Sequence, residues 1–257
     1  MSASFRSTIR VALGLALAAL PLSGAIAPRA SLAATTITLQ PGEADSSDVF
    51  VYQFLPTSNW NAAPPFSMIL AASHTGDSSA HHTQSLIAFD VASTGLTGDQ
   101  VGHAVVELFS IDGSVVGFPF ANPTTTDPVT LDLFAAGAAW DESTVTWNTK
   151  PAPLGGAVDT VELDGIGKWI SFDVTDLVRD WLDGVLDNNG LLLTQRDEVR
   201  IGGVAAAGVF NSASAAFNRP RLVMTAVPEP SAVVLLLASC PAALWWAARR
   251  RQRGAKR

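Results

Sequence analysis

The stretch that decides the fold covers residues 169–193 and reads WISFDVTDLVRDWLDGVLDNNGLLL. Its first residues are mostly aromatic or β-branched and are bounded by polar residues, which predicts a strand. From Val174 the apolar residues instead recur at Leu177, Val178 and Trp181, with the spacing of one helix face. The stretch therefore predicts a strand, a short helix and then a second strand over the three final leucines.

Polar and glycine residues mark the ends of the predicted helix. Asp173 occupies the position of an N-cap, and Asp176 follows three residues later, as in a capping box. Gly184 supplies the stop, because glycine enters the left-handed region without steric cost. A helix of about seven to ten residues is unstable alone in water, so we expect its apolar face to lie on a sheet or to cover the open end of a sandwich.

Short strand-like segments recur along residues 34–226, which we call the body. They fall at residues 35–39, 48–54, 68–72, 84–91, 101–111, 129–134, 157–163, 169–174, 190–195, 199–204 and 220–226. Segments rich in Pro, Gly, Asn and Ser separate them. This pattern predicts an all-β, jelly-roll-like sandwich with one short helix.

Both ends of the chain have the composition of processing segments. Residues 1–33 carry Arg6 and Arg10, then an apolar run and small residues, which is typical of a secretory signal peptide cut by signal peptidase. Residues 231–248 form a mostly apolar run of about 18 residues, enough for a transmembrane helix. The basic residues that follow include Arg249, Arg250, Arg251 and Arg253. Their position predicts an inner-membrane anchor with the body outside the cytoplasm.

The charge of the body differs from that of the whole chain. The chain has a formal net charge of −7, whereas the body has seven basic and 22 acidic residues, a net charge of −15. Such a body repels phosphate backbones, so we expect no nucleic-acid partner. The only cysteine, Cys240, lies in the apolar C-terminal run, so the body has no disulfide and depends on its core.

Three tryptophans are candidate glycan contacts, because the C–H faces of sugar rings stack on aromatic faces: Trp60, Trp140 and Trp147. Trp140 and Trp147 flank a strand-like segment and are seven residues apart, which predicts that they point to opposite faces and that at least one is buried in the core. Trp60 lies in a predicted loop and is the better candidate for a contact. For all three, packing in the core is the alternative interpretation.

Other polar residues are candidates for metal binding. Glu43, Asp45 and Asp48 alternate along the chain and would supply hard oxygen ligands to a structural calcium ion. The chain also has a histidine cluster, formed by His74, His81 and His82 with Asp77. Its spacing matches no helical or finger-like zinc site, so we interpret it as a solvated loop. Apart from calcium we expect no cofactor, and no motif for a nucleophile or phosphate loop is present.

The C-terminal segment resembles the PEP-CTERM sorting signal. The resemblance covers residues 227–257 and consists of Pro228, Glu229 and Pro230, then the apolar run and the arginine cluster. It implies recognition by an exosortase, cleavage near the motif, and association of the protein with exopolysaccharide or biofilm matrix.

The body resembles the DNRLRE-domain family. The resemblance is carried by QSLIAFDV at 84–91, WDESTVTWNTKP at 140–151, FDVT at 172–175 and RPRL at 219–222. It implies a jelly-roll sandwich that exported bacterial proteins use as a wall or matrix module, with some relatives binding polysaccharide. The family supplies no catalytic residues.

Together these features predict a signal peptide at 1–33, a β-sandwich at 34–226 and a sorting signal at 227–257. We expect an exported, non-catalytic protein of the cell surface or extracellular matrix that is structural, adhesive or polysaccharide-binding. The alternative is a polysaccharide lyase or glycoside hydrolase on the same scaffold. A glycosidase would need two carboxyl groups about 5–10 Å apart across a cleft.

Overall fold

The computed structural model describes residues 34–40, 47–61, 64–76, 81–116 and 120–227. The predicted signal peptide, sorting motif and transmembrane helix lie outside the described residues, as do Glu43, Asp45 and Asp77. Within the described ranges, no helix is both long enough and apolar enough to cross a membrane.

Thirteen strands and one α-helix make up the described chain. The strands are β1 (Thr35–Leu39), β2 (Ser47–Tyr52), β3 (Ile69–Ser73), β4 (Thr83–Ala88), β5 (Val101–Phe109), β6 (Val129–Ala136), β7 (Pro153–Leu163), β8 (Trp169–Asp173), β9 (Leu191–Gln195), β10 (Arg200–Ile201), β11 (Val204–Ala205), β12 (Ala207–Asn211) and β13 (Arg221–Ala226). The helix is α1 (Thr175–Leu182), and short 3₁₀ turns span Phe66–Met68, Val91–Thr94, Gly98–Gln100 and Gly113–Val116.

Two antiparallel sheets form the sandwich. The smaller sheet has the strand order β1-β13-β5-β8, and the larger has the order β12-β3-β4-β9-β6-β7 with β2 paired to β4. β10 and β11 form a separate hairpin. Because β1 pairs with β13, the first and last strands of the body close the same sheet. The predicted fold class, an all-β sandwich with one short helix, is confirmed.

The main hydrophobic core lies between the two sheets. On β5, Ala104, Val106 and Leu108 are fully buried, as the two-residue period of a strand requires. Leu131 and Leu133 of β6 belong to the same cluster. Burying each such aliphatic side chain contributes about 1.5–3 kcal/mol, so this cluster provides most of the stability of a body that has no disulfide. Both sheets and their core lie within residues 34–226, and we expect this body to fold on its own.

The helix covers part of this core, as predicted from its apolar face. Leu177, Val178 and Trp181 are buried in the main cluster, and Gly184 has a φ of 69°, which confirms the predicted stop. The predicted capping box is wrong, because the cap position falls on Val174.

The carboxylates near the start of α1 make other contacts. The Asp173 carboxylate accepts hydrogen bonds from the Thr175 N–H at 2.9 Å and the Thr175 hydroxyl at 2.6 Å. Asp176 pairs with Arg179 at 2.9 Å instead of reaching back to the cap. These aspartates therefore stabilise the helix start and its solvated face, as the sequence suggested, although by different bonds.

Two loops pack on the larger sheet beside β2. Strand alternation places Leu86 and Leu192 on the face opposite the main core, and residues 140–150 cover this face. The loop around Trp60 packs instead on the side chains of β2 that alternate with those under residues 140–150. The Asn59 side-chain N–H groups join the loops by donating to the carbonyls of Glu142 at 2.8 Å and Val145 at 2.9 Å. The two loops are therefore held to each other by hydrogen bonds.

Two details of the strands differ from the sequence prediction. The predicted strand at 199–204 is a hairpin, since Gly202 and Gly203 adopt positive φ values of 59° and 85° and turn the chain. β12 was not predicted, because its sequence AGVFN has few β-branched residues. Gly208 allows close packing there, because a Cβ at this position would lie 3.1 Å from the Phe210 ring.

Candidate functional site

Trp140 and Trp147 contact the same hydrophobic cluster, so the prediction that they point to opposite faces is wrong. The chain between them turns instead of forming a strand. The Asp141 carboxylate accepts from the Ser143 N–H at 2.9 Å, and the Val145 N–H donates to the Asp141 carbonyl at 2.9 Å. These bonds with Ser143 also lower the pKa of Asp141. The turn brings both indoles back onto the sheet.

Trp140 has a structural role. Its Nε1–H donates to the Asn189 carbonyl at 2.8 Å, which ties the loop to the turn before β9. A half-buried indole whose N–H is already bonded is poorly placed to present its polar edge to a ligand.

Trp147 is surrounded by groups that can donate hydrogen bonds. The Lys150 Nζ lies 4.7 Å from the centre of its ring, and the His82 ring lies 6.4 Å away at an interplanar angle of 27°. Burial lowers the pKa of Lys150. Lys150 forms no ion pair with any described residue, unlike most basic side chains of the body.

Trp60 is packed within the loop that covers the sheet. Its ring stacks on Phe50 at 5.4 Å and meets the edge of Phe66 at 5.0 Å. Its Nε1 is buried and has no hydrogen-bond partner among the described residues. Trp60 therefore packs between its loop and the sheet and does not offer an open aromatic face to a ligand.

Phe54 is an open aromatic ring that the sequence prediction missed. It is 56% exposed and stacks on His81 at 4.9 Å and 24°. His81 in turn stacks on Tyr52 and its Nδ1 is hydrogen-bonded to the Tyr52 hydroxyl. The aromatic residues at positions 52 and 54, two apart at the end of a strand, were the available signal, since such residues point to the same side.

These side chains form two neighbouring groups, Phe54 with His81 and Trp147 with His82 and Lys150, which we together call the aromatic strip. The segments that carry them are held together by the backbone, because the Gln53 N–H donates to the His82 carbonyl at 2.9 Å and the Asn148 N–H to the Pro56 carbonyl at 3.1 Å. The strip combines the exposed ring of Phe54 and the half-buried ring of Trp147 with nitrogen groups that can donate or accept hydrogen bonds. This is the chemistry that binds a sugar, whose ring has apolar C–H faces and a polar rim.

The predicted histidine cluster is partly assembled. His74 and His82 meet edge to face at 4.4 Å, whereas His81 belongs to the stack with Phe54 and Tyr52. The described residues contain no group of three or more His, Cys, Asp or Glu side chains arranged to hold a metal ion.

Asp48 is the described member of the predicted calcium ligands, and it is 3% exposed. One carboxylate oxygen accepts from the Ala213 N–H at 2.7 Å, and the other, Oδ1, is buried without a hydrogen-bond partner. Burial raises the pKa of Asp48 to about 7, and the charge of Glu142 adds to the rise, while the bond from Ala213 opposes it. An unpaired buried oxygen suits a cation, but the described residues place only Asp48 and Glu142 here. Calcium binding therefore stays a prediction.

A polar groove of about 530 Å³ lies beside α1 and is the place to test for a catalytic carboxyl pair. Asp159 is engaged there, since its Oδ2 accepts from the Asp173 N–H at 2.8 Å. Hydrogen bonds from Thr175 lower the pKa of Asp173, which is opposite to the shift a general acid requires. The carboxyl with a raised pKa, Asp48, lies on the other sheet, and Asp173 is instead paired with His103 of the groove, whose Nε2 lies 3.8 Å from its Oδ2.

The fold places the chain in the class of modules built on a β-sandwich. The sequence comparison makes this specific: the model of carbohydrate-binding module family 96 matches residues 43–226, and the chain belongs to this family. No curated protein matches the chain. The resemblances to DNRLRE domains and to the PEP-CTERM signal stay predictions.

Proposed function

We propose that this protein is an exported polysaccharide-binding module that acts at the cell surface or in the extracellular matrix. The observation that supports binding is the aromatic strip, in which Phe54 stacks on His81 and Trp147 lies beside His82 and Lys150. Membership in a family of carbohydrate-binding modules gives the ligand class.

The strip suits a polymer better than a single sugar. It follows the surface from the end of β2 to the loop at 140–150 and is open to solvent, as the 56% exposure of Phe54 indicates. An open surface of this kind contacts several units of a chain, each weakly, and needs no closed pocket. We therefore expect modest affinity for one sugar and higher affinity for longer oligosaccharides.

Binding is tested with the body on a panel of soluble neutral and acidic polysaccharides by affinity electrophoresis. The changes Phe54→Ala and Trp147→Phe remove or shrink one ring each, and Val185→Ala is the control because Val185 is 67% exposed outside the strip. We expect Phe54→Ala to weaken binding about two- to tenfold, as the loss of one stacked ring is worth about 0.5–1.5 kcal/mol. Unchanged binding by both strip variants, or no binding by the wild type, would contradict the proposal.

The same incubations test the enzymatic alternative. A binding module leaves the polymer intact, so reducing ends and unsaturated products stay at the level of a blank. Release of either product by the wild type, and its loss in Asp173→Asn, would favour a glycoside hydrolase or lyase centred on the groove beside α1.

Export and sorting are further parts of the proposal, supported by the composition of the two ends. We propose that signal peptidase removes residues 1–33, that the C-terminal segment holds the protein in the inner membrane, and that an exosortase cuts near Pro228, Glu229 and Pro230. Mass spectrometry of the exported protein tests this. A mature protein that still ends at Arg257 would contradict the sorting step.

A further inference from the structure

A second concavity lies on the outer face of the larger sheet, at the end opposite the aromatic strip. It has a volume of about 230 Å³ and its walls include Met68, Ile69, Ile111, Asn211, Ala215 and Phe217. Ile69 begins β3, and Ser73 ends it, where the Ser73 hydroxyl donates to the His81 carbonyl at 2.8 Å. The pocket and the strip therefore lie at the two ends of β3, roughly 13 Å apart at the usual rise per residue of a strand.

Phe217 lies at the mouth of this pocket, where its own loop holds the ring in solvent. Phe217 is 71% exposed, and Asn218 after it has a φ of 53°, a left-handed conformation that asparagine tolerates better than most other non-glycine residues. The loop is braced, since the Asn211 side chain donates to the Phe217 carbonyl at 3.1 Å and the Ser212 hydroxyl to the Ser67 carbonyl at 2.7 Å. The loop therefore presents an apolar ring beside an apolar pocket, an arrangement found in ligand sites.

The walls determine which chemical group can enter. Most wall residues are aliphatic or are alanines, and the amide of Asn211 is the polar side chain among them. A bare sugar ring would bring several hydroxyl groups into this pocket, and each one left unpaired would cost about 1–3 kcal/mol. The group that enters must therefore be small and mostly apolar, with at most one polar atom.

The Asn211 amide can serve that one polar atom. Its nitrogen carries two N–H groups, and one of them is used by the Phe217 carbonyl. Asn211 itself is 8% exposed, so a bond made by its second N–H would be shielded from water. An acetyl group has the matching composition, with one methyl group and one carbonyl oxygen.

We propose that this pocket binds an acetyl substituent of the polysaccharide that lies on the aromatic strip. The methyl group contacts Met68, Ile69 and the ring of Phe217, and the carbonyl accepts from the Asn211 amide. This inference rests on the proposed function, because the strip holds the chain that carries the substituent. It makes the protein selective for acetylated polymer.

The test compares one polymer with and without its acetyl groups. The body is measured by isothermal titration with naturally O-acetylated xylan and with the same batch after mild alkaline deacetylation. N-acetylated and fully deacetylated chitin hexamers form a second pair, which distinguishes acetamide from acetyl ester. Burial of one methyl group and one hydrogen bond together predict a preference of about tenfold for at least one acetylated form.

Phe217→Ala is the diagnostic variant, since an exposed ring can be removed without disturbing the core, and Val185→Ala is its control. We expect Phe217→Ala to lose the preference and to keep its affinity for the deacetylated polymer, whereas Phe54→Ala weakens binding to both forms. Equal affinity for both members of both pairs, no binding to any of the four, or a preference that persists in Phe217→Ala would overturn the pocket proposal. Binding of other polymers of the panel to the strip would still leave the proposed function standing.

Discussion

Replacing Asp48 by Asn should change how the stability of the body depends on pH. The Asp48 carboxyl is buried, and its pKa in the folded state is about 7 against an ordinary value of 3.8. Between these two values the folded protein holds a proton that the unfolded chain has already released. The stability that this group contributes is therefore complete below about pH 4 and is lost as the pH rises towards 7.

The size of the effect follows from the width of that window. Each pH unit between the two pKa values is worth about 1.4 kcal/mol, so the loss reaches about 4 kcal/mol by pH 8. Asn keeps a carbonyl oxygen that can accept from the Ala213 N–H, which Asp48 binds at 2.7 Å. Since Asn cannot ionise, the Asp48→Asn variant should gain up to this amount relative to the wild type on going from pH 4 to pH 8.

The measurement is urea unfolding of the body followed by tryptophan fluorescence, near pH 4 and near pH 8, for both proteins. The difference between them cancels the titration of all other groups. Asp173→Asn is the matched control: hydrogen bonds from Thr175 lower the pKa of Asp173, so its stabilisation is lost mainly below about pH 4. The difference in unfolding free energy between Asp173→Asn and the wild type should therefore change little between the two pH values. If the difference between Asp48→Asn and the wild type were the same at both pH values, a buried and proton-holding Asp48 would be refuted.

Four further outcomes are expected. Calcium added to the wild type near pH 8 should raise the midpoint of unfolding if Asp48 is a ligand, and an equal rise in Asp48→Asn would contradict that role. Ser85→Ala should lower the free energy of unfolding by about 2 kcal/mol, because the hydroxyl accepts from and donates to the backbone of β3 at 2.8 and 2.9 Å; Ser85→Thr is the comparison variant in denaturant titration. Gly190→Ala should lower the melting temperature by several degrees, because the φ of Gly190 is 81° and a Cβ would lie 2.7 Å from a carbonyl oxygen of β4. An unchanged melting temperature would mean that the turn relaxes to accept the Cβ. Asp132→Asn should lower the free energy of unfolding by about 1–3 kcal/mol, since this buried carboxylate binds the Arg196 guanidinium at 2.5 and 2.9 Å. High salt added to the wild type should not lower its free energy of unfolding by the same amount.

Most of the sandwich could be predicted from the sequence, because its strands carry the two-residue period of a buried face. Residues 101–111 correspond to β5, and residues 169–193 give β8, α1 and β9 in the expected order. The two-residue period did not predict strands in which small residues replace large apolar ones. β12 packs Ala207 and Gly208 closely against neighbouring strands, and such a strand has little local signal, since its burial depends on its neighbours.

The binding surface was harder to predict, because it depends on contacts between segments distant in sequence. Trp60 was the favoured contact on the basis of its loop, but the loop folds back and buries the indole against Phe50 and Phe66. Phe54 and His81 are 27 positions apart and meet only through the pairing of β2 with β4. Trp147 was a candidate from its residue type alone and stays a prediction, whereas its contact with Lys150 required knowledge of the turn between them.

The closing strand pair has a consequence for how the protein meets its surroundings. The chain leaves the smaller sheet at Val227, whose N–H donates to the Gln100 carbonyl at 2.7 Å, while the aromatic strip lies across the sandwich on the outer face of the larger sheet. A molecule tethered through its C-terminus would thus present the strip away from its point of attachment. Many tethered copies would then bind one long polymer at several places. Such multivalency raises the overall affinity by about 10²–10⁴ even when each single contact is weak.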